Sequence, residues 1–113
     1  MRKGVRMGKV DSRVIKTVKK FKSTVEKSYG IEDIILFGSF ARGTNKGDSD
    51  IDLLVVVKKP VKKLVKKLLL EWHVSQHIDY PVDFISYTKE EFEKESSRIT
   101  LANVALQEGI HIK

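Results

Sequence analysis

At 113 residues, 41% hydrophobic and 33% charged, the chain has the composition of a soluble, cytoplasmic globular protein with room for one core, which argues for a single domain over 1–113. It contains no cysteine, which excludes disulfides, thiolate metal sites and a cysteine nucleophile, and it has no apolar run near the roughly 20 residues of a membrane span. The net charge of +7 is uneven: residues 1–30 carry +8 and 58–70 carry +6, whereas 31–57 carry −3 and 71–113 carry −4, so an acidic centre lies between two basic segments.

Residues 1–10 are basic and aperiodic, which predicts a flexible terminus without the apolar stretch of a secretory signal. From Asp11 the apolar residues Val14, Val18, Phe21 and Val25 recur at helical spacing, with Asp11 or Ser12 as the cap and Tyr29-Gly30 as the stop. Glu32 to Phe37 reads as a buried strand, Phe40 to Arg42 as the start of a short helix, and Gly43 to Ser49 as a loop. Ile51 to Val57 is the second strand. Pro60 is expected to open a helix with Val61, Leu64, Val65, Leu68 and Leu69 buried and Lys62, Lys63, Lys66 and Lys67 on the opposite face. This helix is expected to pass Trp72 and end before Asp79. His73 and His77 stand four apart, a metal-ligand spacing, but no Glu follows His73 and they read as ordinary surface or partly buried histidines. Val82 to Ser86 is a third strand. Thr88-Lys89-Glu90-Glu91 forms a capping box for a further helix, with a break near Ser96-Ser97, a stop at Gly109, and Ile110 to Ile112 as an edge strand. The order predicts an α/β (α+β) fold with a small mixed sheet flanked by helices.

One stretch carries chemistry. After Gly38-Ser39 come ten residues and then Asp50-Ile51-Asp52, followed by an apolar strand. Strand side chains alternate, so Asp50 and Asp52 project together, and paired carboxylates at the lip of a buried strand are costly without a cation. Their hard oxygens suit Mg²⁺ or Mn²⁺. Asp83 joins them if the third strand lies beside the second, and three carboxylates could hold two metals for an in-line phosphoryl displacement. Gly38 would let the backbone approach a phosphate, and a helix starting at Ser39 would aim amides and a hydroxyl at the anion. Arg42 and Lys46 either balance phosphate charge or are solvated loop residues. Asp48 and Ser49 read as turn residues.

The Gly38-Ser39-Phe40-Ala41-Arg42-Gly43 segment, Ser49-Asp50-Ile51-Asp52-Leu53-Leu54-Val55, Val82-Asp83-Phe84 and the closing Glu108-Gly109-Ile110 resemble the minimal nucleotidyltransferase (MNT) branch of the DNA polymerase beta superfamily, over roughly 12–112. The resemblance implies a nucleotidyltransferase fold and Mg²⁺-dependent transfer of a nucleoside monophosphate onto a hydroxyl, with AMP from ATP as the expected donor chemistry. It implies that Gly38 and Ser39 grip the triphosphate, that Asp50 and Asp52 bind the metals, and that Asp83 completes the site and activates the acceptor. Members of that branch commonly work beside a HEPN-domain partner as antitoxin and toxin, so a HEPN partner is expected here.

Two other readings compete. One is a non-catalytic antitoxin or binding subunit that neutralises a partner by complex formation, because so small a core leaves little room for an acceptor domain; exposed apolar helix faces would also favour assembly of copies. Nucleic-acid binding through the lysine segments is disfavoured, since the aromatic residues do not interleave with them.

Overall fold

The computed structural model describes residues 10–47, 49–75, 80–98 and 100–112. The basic terminus before Val10, Asp48, His77 and the approach to Asp79 lie outside them.

Helix α1 (Ser12–Tyr29) is capped by the Asp11 carboxylate, which accepts from the Arg13 amide at 2.8 Å. Its residues Val14, Val18, Phe21 and Val25 are buried, as their spacing predicts. Strand β1 (Ile31–Phe37) follows, then the single turn α2 (Ser39–Arg42), β2 (Ile51–Val57), α3 (Lys63–Ser75), β3 (Val82–Thr88), α4 (Lys89–Ser96), α5 (Leu101–Glu108) and β4 (Ile110–His111). The sheet order is β3-β2-β1-β4, with β2 and β3 parallel and the other pairs antiparallel. This is the expected small mixed sheet. No helix among the described residues is long and apolar enough to cross a membrane.

The central strand β2 is buried on both faces, which explains its nearly unbroken apolar sequence. Ile51, Leu53, Val55 and Val57 meet α1 in the larger core, with Ile34 and Leu36 of β1 and Val82 and Phe84 of β3. Leu54 and Val56 face the other way and pack with Ile35, Phe37, Ala102 and Ala105, against which Phe92, Ile85 and Tyr87 also lie. By strand alternation Asp52 and Asp83 belong to this second face, at the end where β2 and β3 begin and β1 stops.

Two expectations are corrected. First, α3 begins at Lys63 rather than Pro60, with the Lys66 amide donating to the Lys62 carbonyl at 2.9 Å, and Val61 reaches the core from ahead of the helix. Second, its buried side is different: Leu69 and Leu70 pack on the core, whereas Leu64 and Leu68 are 68% and 55% exposed. Apolar residues almost encircle this helix, so periodicity did not single out a face and the contacts with the sheet decide it. Lys66 lies three and four residues before Leu69 and Leu70 and therefore shares their side. β3 also runs two residues beyond Ser86, because parallel pairing continues through Val56 with Tyr87 and Val57 with Thr88.

The capping box forms as expected: Glu91 donates its amide to Thr88 Oγ1 at 3.3 Å, and the Thr88 amide donates to Glu91 Oε1 at 2.8 Å. Thr88→Ala should lower stability by about 1 kcal/mol in urea unfolding. An unchanged midpoint would show that the cap contributes nothing.

Candidate functional site

Register assembles the site. Phe37, the last residue of β1, pairs with Asp52, and Asp52 pairs with Asp83. Gly38 is therefore delivered beside the first residues of β2 and β3. Its backbone lies at φ 78°, ψ −156°, a region essentially confined to glycine. A methyl group there would fall on Oδ2 of Asp52. The missing side chain is what lets the turn close on the carboxylate.

The turn is compact. The Ala41 and Arg42 amides both donate to the Gly38 carbonyl at 3.1 Å, and Gly43, in the left-handed conformation, ends α2. Phe40 and Ala41 are buried, and the Phe40 ring meets Tyr80 edge-on at 5.2 Å, which anchors the turn to the segment entering β3. Ser39 is half-buried next to Gly38. Arg42 Nη1 lies 2.9 Å from Glu108 Oε1 at the end of α5. The following loop is exposed, and the Lys46 amide donates to Ser49 Oγ at 2.7 Å, consistent with a turn role for Ser49.

Asp52 is half-buried, and its carboxyl is pushed above the ordinary aspartate value. Loss of water is the largest cause, followed by the negative charges of Asp50 and then Asp83; Arg42 acts in the opposite direction. Burial and neighbouring carboxylates outweigh Arg42 at Asp52, and a bound cation would relieve it. Asp50 is exposed just ahead of β2.

Asp83 has the expected place in the sheet, but its carboxylate does not join the other two. Oδ1 accepts the Phe84 amide at 2.9 Å and lies 3.6 Å from Lys66 Nζ. Among the described residues no three acidic or histidine side chains form a ready cation cage. Register pairs Asp52 with Asp83, and Asp50 stands just ahead of β2, while the Asp83 carboxylate engages Lys66 and the Phe84 amide. The donor chemistry nonetheless fits a hard divalent cation: carboxylate oxygens, one of them raised by burial and then by the neighbouring carboxylates.

Two residues at this corner were not among the site candidates. Glu108 was visible only within the closing Glu108-Gly109-Ile110 resemblance, and its contact with Arg42 spans 66 positions. Lys66 gave no signal beyond its place in a lysine-rich helix.

Comparison with known proteins places the fold and the family. A Methanocaldococcus jannaschii protein named "putative protein adenylyltransferase" is 39% identical over 44 residues, which cover 39% of this chain and 51% of that protein. The chain spans about half the length of the curated relatives it matches. Among solved structures, a toxin-antitoxin with AMP-PNP aligns at TM-score 0.65 and 19% identity, covering 88% of this chain and 72% of the other. A structure of a tri-AMPylated Shewanella oneidensis HEPN toxin in complex with an MNT antitoxin aligns at TM-score 0.58 and 18% identity, covering 88% and 69%. These last two likenesses concern the fold. The family model described as "Nucleotidyltransferase domain" matches residues 18–106, a span that holds the Gly-Ser turn, the parallel strand pair and all three aspartates, and the chain belongs to that family.

Proposed function

We propose that the chain is a Mg²⁺-dependent nucleotidyltransferase that moves AMP from ATP onto a hydroxyl of a partner protein such as a HEPN-domain toxin, releasing pyrophosphate. The observation that carries this reading is the closure of Gly38 onto Asp52, with Asp50 and Asp83 near enough to raise the Asp52 carboxyl. An anion-approachable turn and a cation-seeking acidic corner then share one end of the sheet. The names of the relatives and the AMP-PNP and HEPN complexes among the structural neighbours support the donor and the partner class.

In this reading Asp50, Asp52 and Asp83 would hold the divalent ions, Mg²⁺ or Mn²⁺. Bound ions would neutralise the triphosphate and polarise the α-phosphoryl group. Gly38 lets the main chain approach the phosphates, Ser39 donates its hydroxyl, and Arg42 balances charge while Glu108 orients it. The acceptor oxygen attacks the α-phosphorus, the bond to the bridging oxygen of the β-phosphate breaks, and pyrophosphate leaves. Asp83 takes the hydroxyl proton.

A second reading, a binding subunit that neutralises a partner without chemistry, draws on the exposed Leu64 and Leu68 among the lysines of α3. One experiment separates the two. The protein is incubated with Mg²⁺, each α-labelled nucleoside triphosphate and host lysate, beside Asp50→Asn. A labelled protein band that requires Asp50 is the expected result. Label on RNA or a small molecule would keep the chemistry and replace the acceptor. No Asp50-dependent label would favour the binding subunit.

A further inference from the structure

Lys66 is a charged residue on the sheet-facing side of an amphipathic helix, and its contacts are specific. Leu69 and Leu70, on the same side of α3, pack on the core. The Lys66 side chain is only 34% exposed, with Nζ 3.6 Å from Asp83 Oδ1 and 5.2 Å from the centre of the Phe84 ring. That ring is itself fixed, fully buried and packed against Phe21 at 5.1 Å. An ion pair to an exposed carboxylate is weak when both side chains are free to move. Here the ammonium is held over an aromatic face, so the lysine is ordered before the carboxylate arrives.

Asp83 has two places to put its charge. Toward Asp52, its partner in the parallel register, it would meet another carboxylate. At the sheet edge it finds Lys66 and the Phe84 amide. We propose that Lys66 is a positioning residue of the metal site: a tethered cation that holds the Asp83 carboxylate at the edge of the sheet until a divalent ion competes for it. This rests on the proposed role of Asp50, Asp52 and Asp83 as metal ligands. Lys66 and the metal then compete for one carboxylate, so the lysine sets the affinity of the site by opposing it.

The test is Mn²⁺ binding to the full chain, followed by the loss of the free-ion electron paramagnetic resonance signal, with no turnover involved. Lys66→Met keeps the length and apolar stem of the side chain. It should tighten the first Mn²⁺ dissociation constant by roughly 3–5-fold, the upper end of what a partly exposed ion pair contributes. Lys66→Arg should keep the original affinity. In an Asp83→Asn background the gain from Lys66→Met should fall below about twofold, because the carboxylate through which the lysine acts is gone. Equal or weaker Mn²⁺ binding by Lys66→Met would overturn the proposal, as would an undiminished gain without Asp83. Equal binding by the original chain and Asp52→Asn would instead refute the metal-site reading and remove the basis for the role of Lys66. Circular dichroism of each variant separates these results from loss of fold.

Discussion

Asp52→Asn is expected to abolish transfer and metal-dependent stabilisation while making the metal-free protein slightly more stable at neutral pH. The sign follows from linkage. The folded-state carboxyl of Asp52 lies above its ordinary value of 3.8, mainly through burial and then through Asp50 and Asp83. Between 3.8 and that raised value the folded chain binds more protons than the unfolded chain, so stability falls as pH rises through the window. Above the window the whole penalty persists. Below it Asp52 is protonated in both states and the penalty vanishes. The group is partly solvated, so the gain from a neutral Asn at pH 7 is small, under about 1 kcal/mol after screening. Unfolding midpoints of both proteins from pH 3 to pH 8 measure it, and the difference should close at the acid end. Added Mn²⁺ should raise the midpoint of the original chain, since a ligand that binds only the folded state stabilises it. It should leave the variant unmoved. Transfer should drop by about 100–1,000-fold or more, the scale of losing a group that stabilises charge in the transition state. A variant less stable than the parent at pH 7 would mean that Asp52 makes a structural bond rather than a strained, cation-seeking site.

Much of this was legible in the sequence, for identifiable reasons. β2 announces itself because both of its faces are buried and only Asp52 interrupts the apolar run. The ends of α1 and the start of α4 are set by local chemistry, Asp11, Gly30 and the Thr88–Glu91 box, which needs no tertiary information. Asp50, Asp52 and the Gly-Ser turn are close in the chain and joined by one loop, so their meeting follows from two adjacent elements. What was hidden depends on contacts between distant segments. The inward side of α3 could not be read from its sequence, because Leu64 and Leu68 are as apolar as Leu69 and Leu70 and only packing on the sheet distinguishes them. With that face went Lys66. Alternation and parallel pairing set Asp83 beside Asp52 in the sheet, but the contacts of its carboxylate, with Lys66 and the Phe84 amide, depend on a helix distant in the chain. Arg42 was read either as a charge near phosphate or as a solvated loop residue; Glu108, which pairs with it, comes from the other end of the chain.

Gly38→Ala is expected to be the more damaging of two alanine substitutions in the turn, although Gly38 and Gly43 share the same φ of 78°. Their ψ angles separate them. Gly43, at ψ 20°, lies in the left-handed region, which other residues enter at a cost of about 1–2 kcal/mol, and an added methyl group there meets nothing within 4 Å. Gly38, at ψ −156°, lies where residues with a side chain are essentially absent, and its methyl group would land on the Asp52 carboxylate. Relief requires the turn to open or Asp52 to rotate away. Strain and overpacking together should cost about 2–4 kcal/mol, a large share of the roughly 5–15 kcal/mol that holds a small domain folded. Urea unfolding of the two variants should show the difference directly, with Gly43→Ala losing only the left-handed cost and Gly38→Ala losing more. The folded fraction of Gly38→Ala should also lose Mn²⁺ affinity, because the methyl group displaces the very oxygen that faces the turn. Retention of both stability and Mn²⁺ binding would mean that the main chain can withdraw without cost, and the close approach of Gly38 to Asp52 would then not be what shapes the site.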